Sequence, residues 1–239
     1  MNPHQEQAFR LPPVYNRSVE LCQQRALSRW IERDAPGRAL DVACGNGALS
    51  VELASHGWDV TGLASDSRAL RVARRRADEN CARCQFHIGD ATSPEIEGEF
   101  DLVLSVGVLQ HIPDHDRCAE TLARLSRVLT ARGRLVLLEA APTRRDSRCD
   151  TRGFRARTFD WYRRTLEDAG LGIVEVFGVD PIPLKTWLLP YYRQLPRMVR
   201  DIALGATSAL SFPLDWLLGP SLPSTSWHKL IVAGRTSRR

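Results

Sequence analysis

Between residues 37 and 180 the chain alternates short, almost uninterrupted apolar runs with longer amphipathic ones. This alternation restricts the fold more than any other feature. The apolar runs are "ALDVAC" (39–44), "WDVTGLA" (58–64), "CQFHIGD" (84–90), "FDLVLSVG" (100–107), "GRLVLLEAA" (133–141) and "LGIVEVFGV" (171–179), with a seventh, "HKLIVAGRT", at 228–236. Helical spacing fills 46–56, 67–80, 115–130 and 159–170 between them. Strands that read apolar at every position are buried on both faces, and intervening helices supply the cover. The expected fold class is therefore α/β, a seven-stranded, mostly parallel, doubly wound sheet.

Residues 15–33 add an N-terminal helix, stopped by "DAPG". Residues 180–227 break the alternation and hold seven of the fourteen prolines. The expected organisation is an N-terminal helical segment (1–36), an α/β core (37–179), a partly helical cap (180–227) and a last core strand with its tail (228–239). The 239 residues suit one core. No secretory pattern opens the chain and no run of 18 uncharged apolar residues occurs, so a cytoplasmic protein without a spanning helix is expected. The six cysteines are scattered, and "CARC" (81–84) has no second pair to complete a zinc site, so no metal is expected.

The turn after the first strand reads "DVACGNGA". Small residues there let a ligand approach the backbone, and the following helix offers free N–H groups. The spacing does not fit the GxGxxG of dinucleotide-binding turns. It resembles instead motif I of the class I S-adenosylmethionine (SAM)-dependent methyltransferases, D/E-x-G-x-G-x-G, with Ala43 in the first glycine position and a slightly wider turn to accommodate it. The resemblance covers about residues 37–140. "FHIGDAT", "FDLVLSVGVLQHIPD" and "LARLSRVLTARGRLVLLEAA" are similar to later segments of that family in the same order. It implies a Rossmann-like methyltransferase with SAM as cofactor. Asp41, Ala43, Cys44, Gly45, Asn46 and Gly47 would cradle it, Asp90 and Ala91 would lie near the adenine, and Ser105 and Val106, at the end of the fourth strand, would also contact the cofactor.

One position departs from the family. Its second strand ends "VTGxDxSxxAL", whose acid binds the cofactor ribose, whereas this chain reads "VTGLASDSRAL". Ala64 takes the acid's place, Ser65 follows, and Asp66 falls where the family has a capping serine. Two readings stay open: Asp66 caps the next helix, or a shifted loop brings it to the ribose.

Methyl transfer needs a positioned nucleophile and, for a hydroxyl acceptor, a base. His111, after the fourth strand, and Glu139, at the end of the fifth, are the candidate catalytic residues. Gln110 lies beside them as a candidate substrate contact. Residues 143–157 carry six arginines against two aspartates, and Arg144 and Arg145 are expected to recognise an anionic group. Too few aromatics interleave to favour nucleic acid. The cap contributes Trp187 and Tyr191 to a greasy pocket, or rests 186–218 on a membrane surface as a peripheral contact.

The expected function is SAM-dependent methylation, at oxygen, of a small or lipid- or glycan-linked acceptor. The alternatives are an enzyme of the same fold that uses a modified SAM or transfers another group, and a non-catalytic binding protein.

Overall fold

The structure is a computed structural model and describes residues 13–33, 35–92, 98–144, 150, 152–181 and 195–236. The elements, in chain order, are α1 (Pro13–Ile31), β1 (Arg38–Val42), α2 (Ala48–Ser55), β2 (Asp59–Ala64), α3 (Ser67–Glu79), β3 (Cys84–Ile88) and β4 (Phe100–Val106). A 3₁₀ turn (Leu109–His111) then leads to α4 (His115–Arg127), β5 (Leu129–Ala140), α5 (Phe159–Asp168), β6 (Leu171–Gly178), α6 (Arg197–Leu218), a second 3₁₀ turn (Gly219–Ser221) and β7 (His228–Arg235).

The strands form one seven-stranded sheet in the order β3-β2-β1-β4-β5-β7-β6. The pairings from β3 across to β5 are parallel. β7 inserts between β5 and β6 and runs antiparallel to both. Six strands thus point one way and one the other. The strand order reverses between β1 and β4, so the connections leave on opposite sides and a crevice opens at the carboxyl ends of the strands.

Both faces are covered. Leu122 and Leu125 of α4 and Tyr162 and Leu166 of α5 pack on Leu40, Val103, Leu135, Leu137 and Ile231. On the other side Leu27, Trp30 and Ile31 of α1 and Leu53 of α2 pack on Ala39, Leu102, Leu104, Val136 and Leu138. Neighbouring residues of one strand, such as Val103 and Leu104, serve opposite cores. That division is why the strands read as continuous apolar runs.

Within the region read as a cap, residues 182–194 lie outside the described residues, and the rest is dominated by α6. This helix lies along α1, with Phe212 and Trp216 reaching the α1 core and the Arg25 guanidinium 4.4 Å above the Trp216 ring. By length and composition the stretch Asp201–Ser221 would suffice to cross a membrane, unlike the sequence expectation. In the fold it is a side wall, with Leu204, Ser208, Ser211 and Asp215 buried against the protein.

Candidate active site

The turn between β1 and α2 holds three residues in the left-handed region: Ala43 (φ 58°), Gly45 (φ 55°) and Gly47 (φ 71°). The wider turn expected for Ala43 is not what the chain does. Alanine adopts the left-handed conformation itself, at a cost of roughly 1 kcal/mol. A side chain on Gly47 would meet Ala73 Cβ at 2.7 Å, so only glycine lets α2 and α3 close. A side chain on Gly45 would meet nothing nearer than the Ala43 carbonyl at 4.0 Å, which leaves that face of the turn open to a ligand.

Beneath the turn, Asp41 is buried and its Oδ2 accepts a 2.6 Å hydrogen bond from Ser50 Oγ. Burial pushes its carboxyl up to about 6, against the pull of that hydroxyl. The Cys44 thiol is pushed up to about 12, first by burial and then by Asp41, so it stays protonated and inert. Asn46 Oδ1 accepts from Ala48 N and from Arg76 Nη1, both at 3.3 Å, which pins the turn to α3.

At the tip of β2, Ala64 is buried and Ser65 exposed. Asp66 is the N-cap of α3, its Oδ1 accepting from Arg68 N at 2.8 Å. Asp90, just beyond β3, accepts at Oδ1 from both Thr92 N (2.8 Å) and Thr92 Oγ1 (3.0 Å).

The loop from β4 to α4 is held by two buried charges. Glu139, fully buried, accepts from the backbone N–H groups of Val108 (2.9 Å), Leu109 (3.0 Å) and Gln110 (3.2 Å), with Ser105 Oγ at 3.4 Å. Burial raises its carboxyl to about 7 although those donors pull it down. This geometry corrects the reading of Glu139 as a base facing the acceptor, because its oxygens point into the loop's main chain. Ser105 is likewise turned inward and away from the crevice.

From the other side, Arg157 donates to the carbonyls of Leu109 (3.0 Å), Ile112 (2.6 Å) and Asp114 (2.9 Å) and lies 4.8 Å from the Trp161 ring. It is buried, so of the six arginines read as a basic run this one belongs to the scaffold. Gln110 is also tied down. Its Oε1 accepts from Ala140 N at 3.1 Å and its carbonyl from Arg155 N at 2.8 Å, which leaves its acceptor end on β5 and not on a substrate.

His111 emerges from this braced loop. Its Nδ1 lies 3.0 Å from the Gly153 carbonyl, and Phe154 meets its ring edge-on at 5.9 Å. A carbonyl only accepts, so Nδ1 carries the proton and, in the neutral ring, Nε2 carries the lone pair.

A cleft of 290 Å³ joins these parts, lined by Ala43, Ser65, Gly89 to Thr92, Val108, and His111 to Asp114, with Arg117. It brings together the expected residues Ala43, Ser65, Asp90, Ala91 and His111. Asp41, Cys44 to Gly47, Ala64, Asp66, Glu139, Gln110 and Ser105 do not line it, and Val106 ends β4 half-buried outside the lining. Sequence reading missed Thr92 and Arg117, whose guanidinium donates to Thr92 Oγ1 at 2.9 Å. Nothing in "HDRCAE" distinguishes that arginine from a solvated one. Arg144 is exposed on the loop after β5; Arg145, Trp187 and Tyr191 lie outside the described residues. Among the described residues no group of three or more His, Cys, Asp or Glu could hold a metal ion.

Residues 39–133 match the family model described as Methyltransferase domain. A ubiquinone biosynthesis O-methyltransferase of Aromatoleum aromaticum is 36% identical over 103 residues, covering 41% of this chain and 44% of that protein. A demethylmenaquinone methyltransferase of Deinococcus radiodurans is 34% identical over 148 residues, covering 58% and 60%. The chain spans about half the length of the curated relatives it matches. The solved structure of a magnesium protoporphyrin IX methyltransferase from Synechocystis PCC 6803, with bound SAH, shares the fold with a TM-score of 0.64 at 17% identity over 98% of this chain and 92% of that one. Residues 39–133 thus match a methyltransferase domain, and the strand order is that of the α/β fold shared with the Synechocystis structure.

Proposed function

We propose that the 290 Å³ cleft binds SAM and that the protein transfers its methyl group to a hydroxyl oxygen of a small or lipid-linked acceptor. The observation that carries this reading is the meeting, in one cleft, of Ala43 from the β1–α2 turn, the Asp90 tip and His111, beside the point where the strand order reverses. The residues present fit the cofactor. The face of the turn above Gly45 has room for a ligand against the backbone, and the Asp90 carboxylate stands at the rim as an acceptor for an amino group. Ala43 to Gly47 would hold the amino-acid end, and Asp90 and Ala91 the adenine.

When bound, SAM supplies an electrophilic sulfonium methyl. The protein's part is to orient the acceptor and take its proton, and we assign the second task to His111 Nε2. Glu139 and Arg157 serve as positioning residues that hold the histidine's loop. The exposed Arg144 and Arg152, in the run after β5, favour an acceptor carrying a carboxylate or phosphate. The names of the relatives support oxygen methylation of a biosynthetic intermediate.

The ribose end is where the fit is loosest, because Ala64 replaces the acid and Asp66 caps a helix. That observation supports a second reading, in which the wider ribose subsite takes a modified SAM.

Calorimetric titration of SAM and SAH into the full chain tests both. Micromolar binding that falls roughly tenfold or more in Asp90→Ala is expected, the loss of one charge-assisted hydrogen bond. Absence of binding by either ligand would overturn the first reading in favour of the second or of a non-catalytic protein.

A further inference from the structure

α6 is built inside out. Its buried side carries Leu204, Ser208, Ser211 and Asp215, three of the four polar. Its outward side carries Met198 (76% exposed), Ile202 (67%), Leu210 (71%), Leu214 (46%), Leu217 (65%) and Leu218 (43%). At ~100° per residue these fall within an arc of roughly 200°, and the helix is about 33 Å long. Val199, Ala206, Ala209 and Pro213 are exposed on the same arc, and no charge lies on it among the described side chains. The exposed Asp201 falls on the opposite side of the helical wheel. A monomer rarely shows water so large an unbroken apolar surface without a use for it.

We infer that this face is a docking surface for an anionic lipid bilayer, on which α6 lies in the plane of the interface with its apolar arc among the acyl chains. Two observations favour lipid over a protein partner. Protein interfaces of this size carry a hydrogen bond for roughly every 100–200 Å², and the polar groups on the arc are few: the Thr207 hydroxyl, which donates to the carbonyls of its own helix, and the partly covered Trp216 indole.

Beside the arc, between α1 and α6, opens a groove of 490 Å³ lined by Val14, Leu21, Ala209 and Phe212, with Arg17 at its wall. The groove suits an acyl chain whose phosphate meets the guanidinium. The charge is complementary as well: Arg17 is exposed at the groove, where it pairs with Glu20 at 3.2 Å, and the whole chain is +5. Basic residues beside an inserted apolar surface are what an anionic leaflet attracts. The inference rests on the surface of the helix and not on cofactor chemistry.

The test is flotation of the full chain, without cofactor, on vesicles of phosphatidylcholine and of phosphatidylcholine with phosphatidylglycerol. Binding to the mixed vesicles is expected, weakened by salt. It should fall roughly tenfold or more in the double variant Leu210→Gln/Leu217→Gln, whose exposed positions leave the melting temperature unchanged. Arg17→Gln should reduce the preference for phosphatidylglycerol.

Failure to bind either vesicle overturns the inference, as does binding indifferent to the double variant. A dimer that the double variant dissociates, without vesicle binding, would assign the face to a second copy instead. Because SAH titration is a separate measurement, a protein that floats but binds no cofactor would sink only the catalytic reading.

Discussion

Glu139 and Arg157 hold Leu109 by opposite ends: its N–H donates to Glu139 Oε1 at 3.0 Å and its carbonyl accepts from Arg157 Nη1 at 3.0 Å. The carboxylate collects the N–H groups of residues 108–110, and the guanidinium collects the carbonyls of 109, 112 and 114. His111 stands in the centre of the segment so held.

Arg157→Met is predicted to strand three carbonyls, that of Leu109 buried and those of Ile112 and Asp114 partly so. The expected loss is about 3–5 kcal/mol, the range for removing one side of a buried polar arrangement. For a chain of this size the melting temperature should drop by roughly 10 °C in differential scanning calorimetry. Arg157→Lys should recover little, because an ammonium cannot span the three acceptors as the planar guanidinium does. A melting temperature within a degree or two of the parent would refute the bracing role.

Glu139 leads to a pH prediction of unusual sign. Its carboxyl rises from an ordinary 4.5 to about 7 in the fold, because burial outweighs the donors around it. The folded state therefore holds the proton more tightly than the unfolded chain. Stability contributed by this group is full below about 4.5 and declines as pH climbs toward 7, by something on the order of 3 kcal/mol. Asp41 acts in the same direction between 3.8 and about 6. Urea unfolding at a series of pH values should show this decline in the parent and a shallower one in Glu139→Gln.

Asp66 is expected to behave as a cap. Asp66→Ala should lower stability by about 1 kcal/mol, with Asp66→Asn close to the parent and SAH affinity the same in all three. A tenfold loss of SAH affinity in the alanine variant would show instead that its carboxylate reaches the ribose.

For His111, His111→Gln should keep SAH affinity within roughly twofold while methyl transfer to a hydroxyl acceptor slows by about 10²–10⁴-fold, the usual share of a positioned base. A SAH-release assay over a panel of phenolic and carboxylate-bearing acceptors checks this. Equal rates in parent and variant would remove the histidine from the chemistry.

Ala43→Gly should stabilise the protein by roughly 1 kcal/mol and raise its melting temperature by about 2–4 °C, since glycine occupies φ 58° without strain. Unchanged melting would mean that the unfolded chain's greater freedom with glycine offsets the relief.

Much of this fold was legible in the chain. Apolar runs such as 100–107 announce strands buried on two faces, and the spacing of Gly45 and Gly47 after Asp41 marks the ligand turn, because both patterns are local. Asp90, expected from the resemblance of "FHIGDAT" to a family segment, and His111, expected from its place after the fourth strand, both line the cleft. What depends on the path of the chain was not legible. The insertion of β7 between β5 and β6 leaves no trace in "HKLIVAGR", which looks like any central strand. In the run from 143 to 157 nothing separates Arg157 from its five neighbours, since its burial follows from the loop's return beneath α4. The uncharged stretch 202–214 within α6 was plain from the sequence, whereas the inward-facing serines and aspartate required the packing on α1 to be seen.

Because Glu139 and Arg157 both grip main-chain atoms, they are blind to the letters of the loop they hold. Val108, Ile112 and Pro113 line the cleft, yet none contributes a side chain to the grip. Variation at these three positions can reshape the wall that meets an acceptor while the histidine stays in place. Under the proposed function the scaffold separates the placing of His111 from the choice of acceptor, and a library of apolar replacements at these sites, two of which also pack on the core, should change acceptor preference.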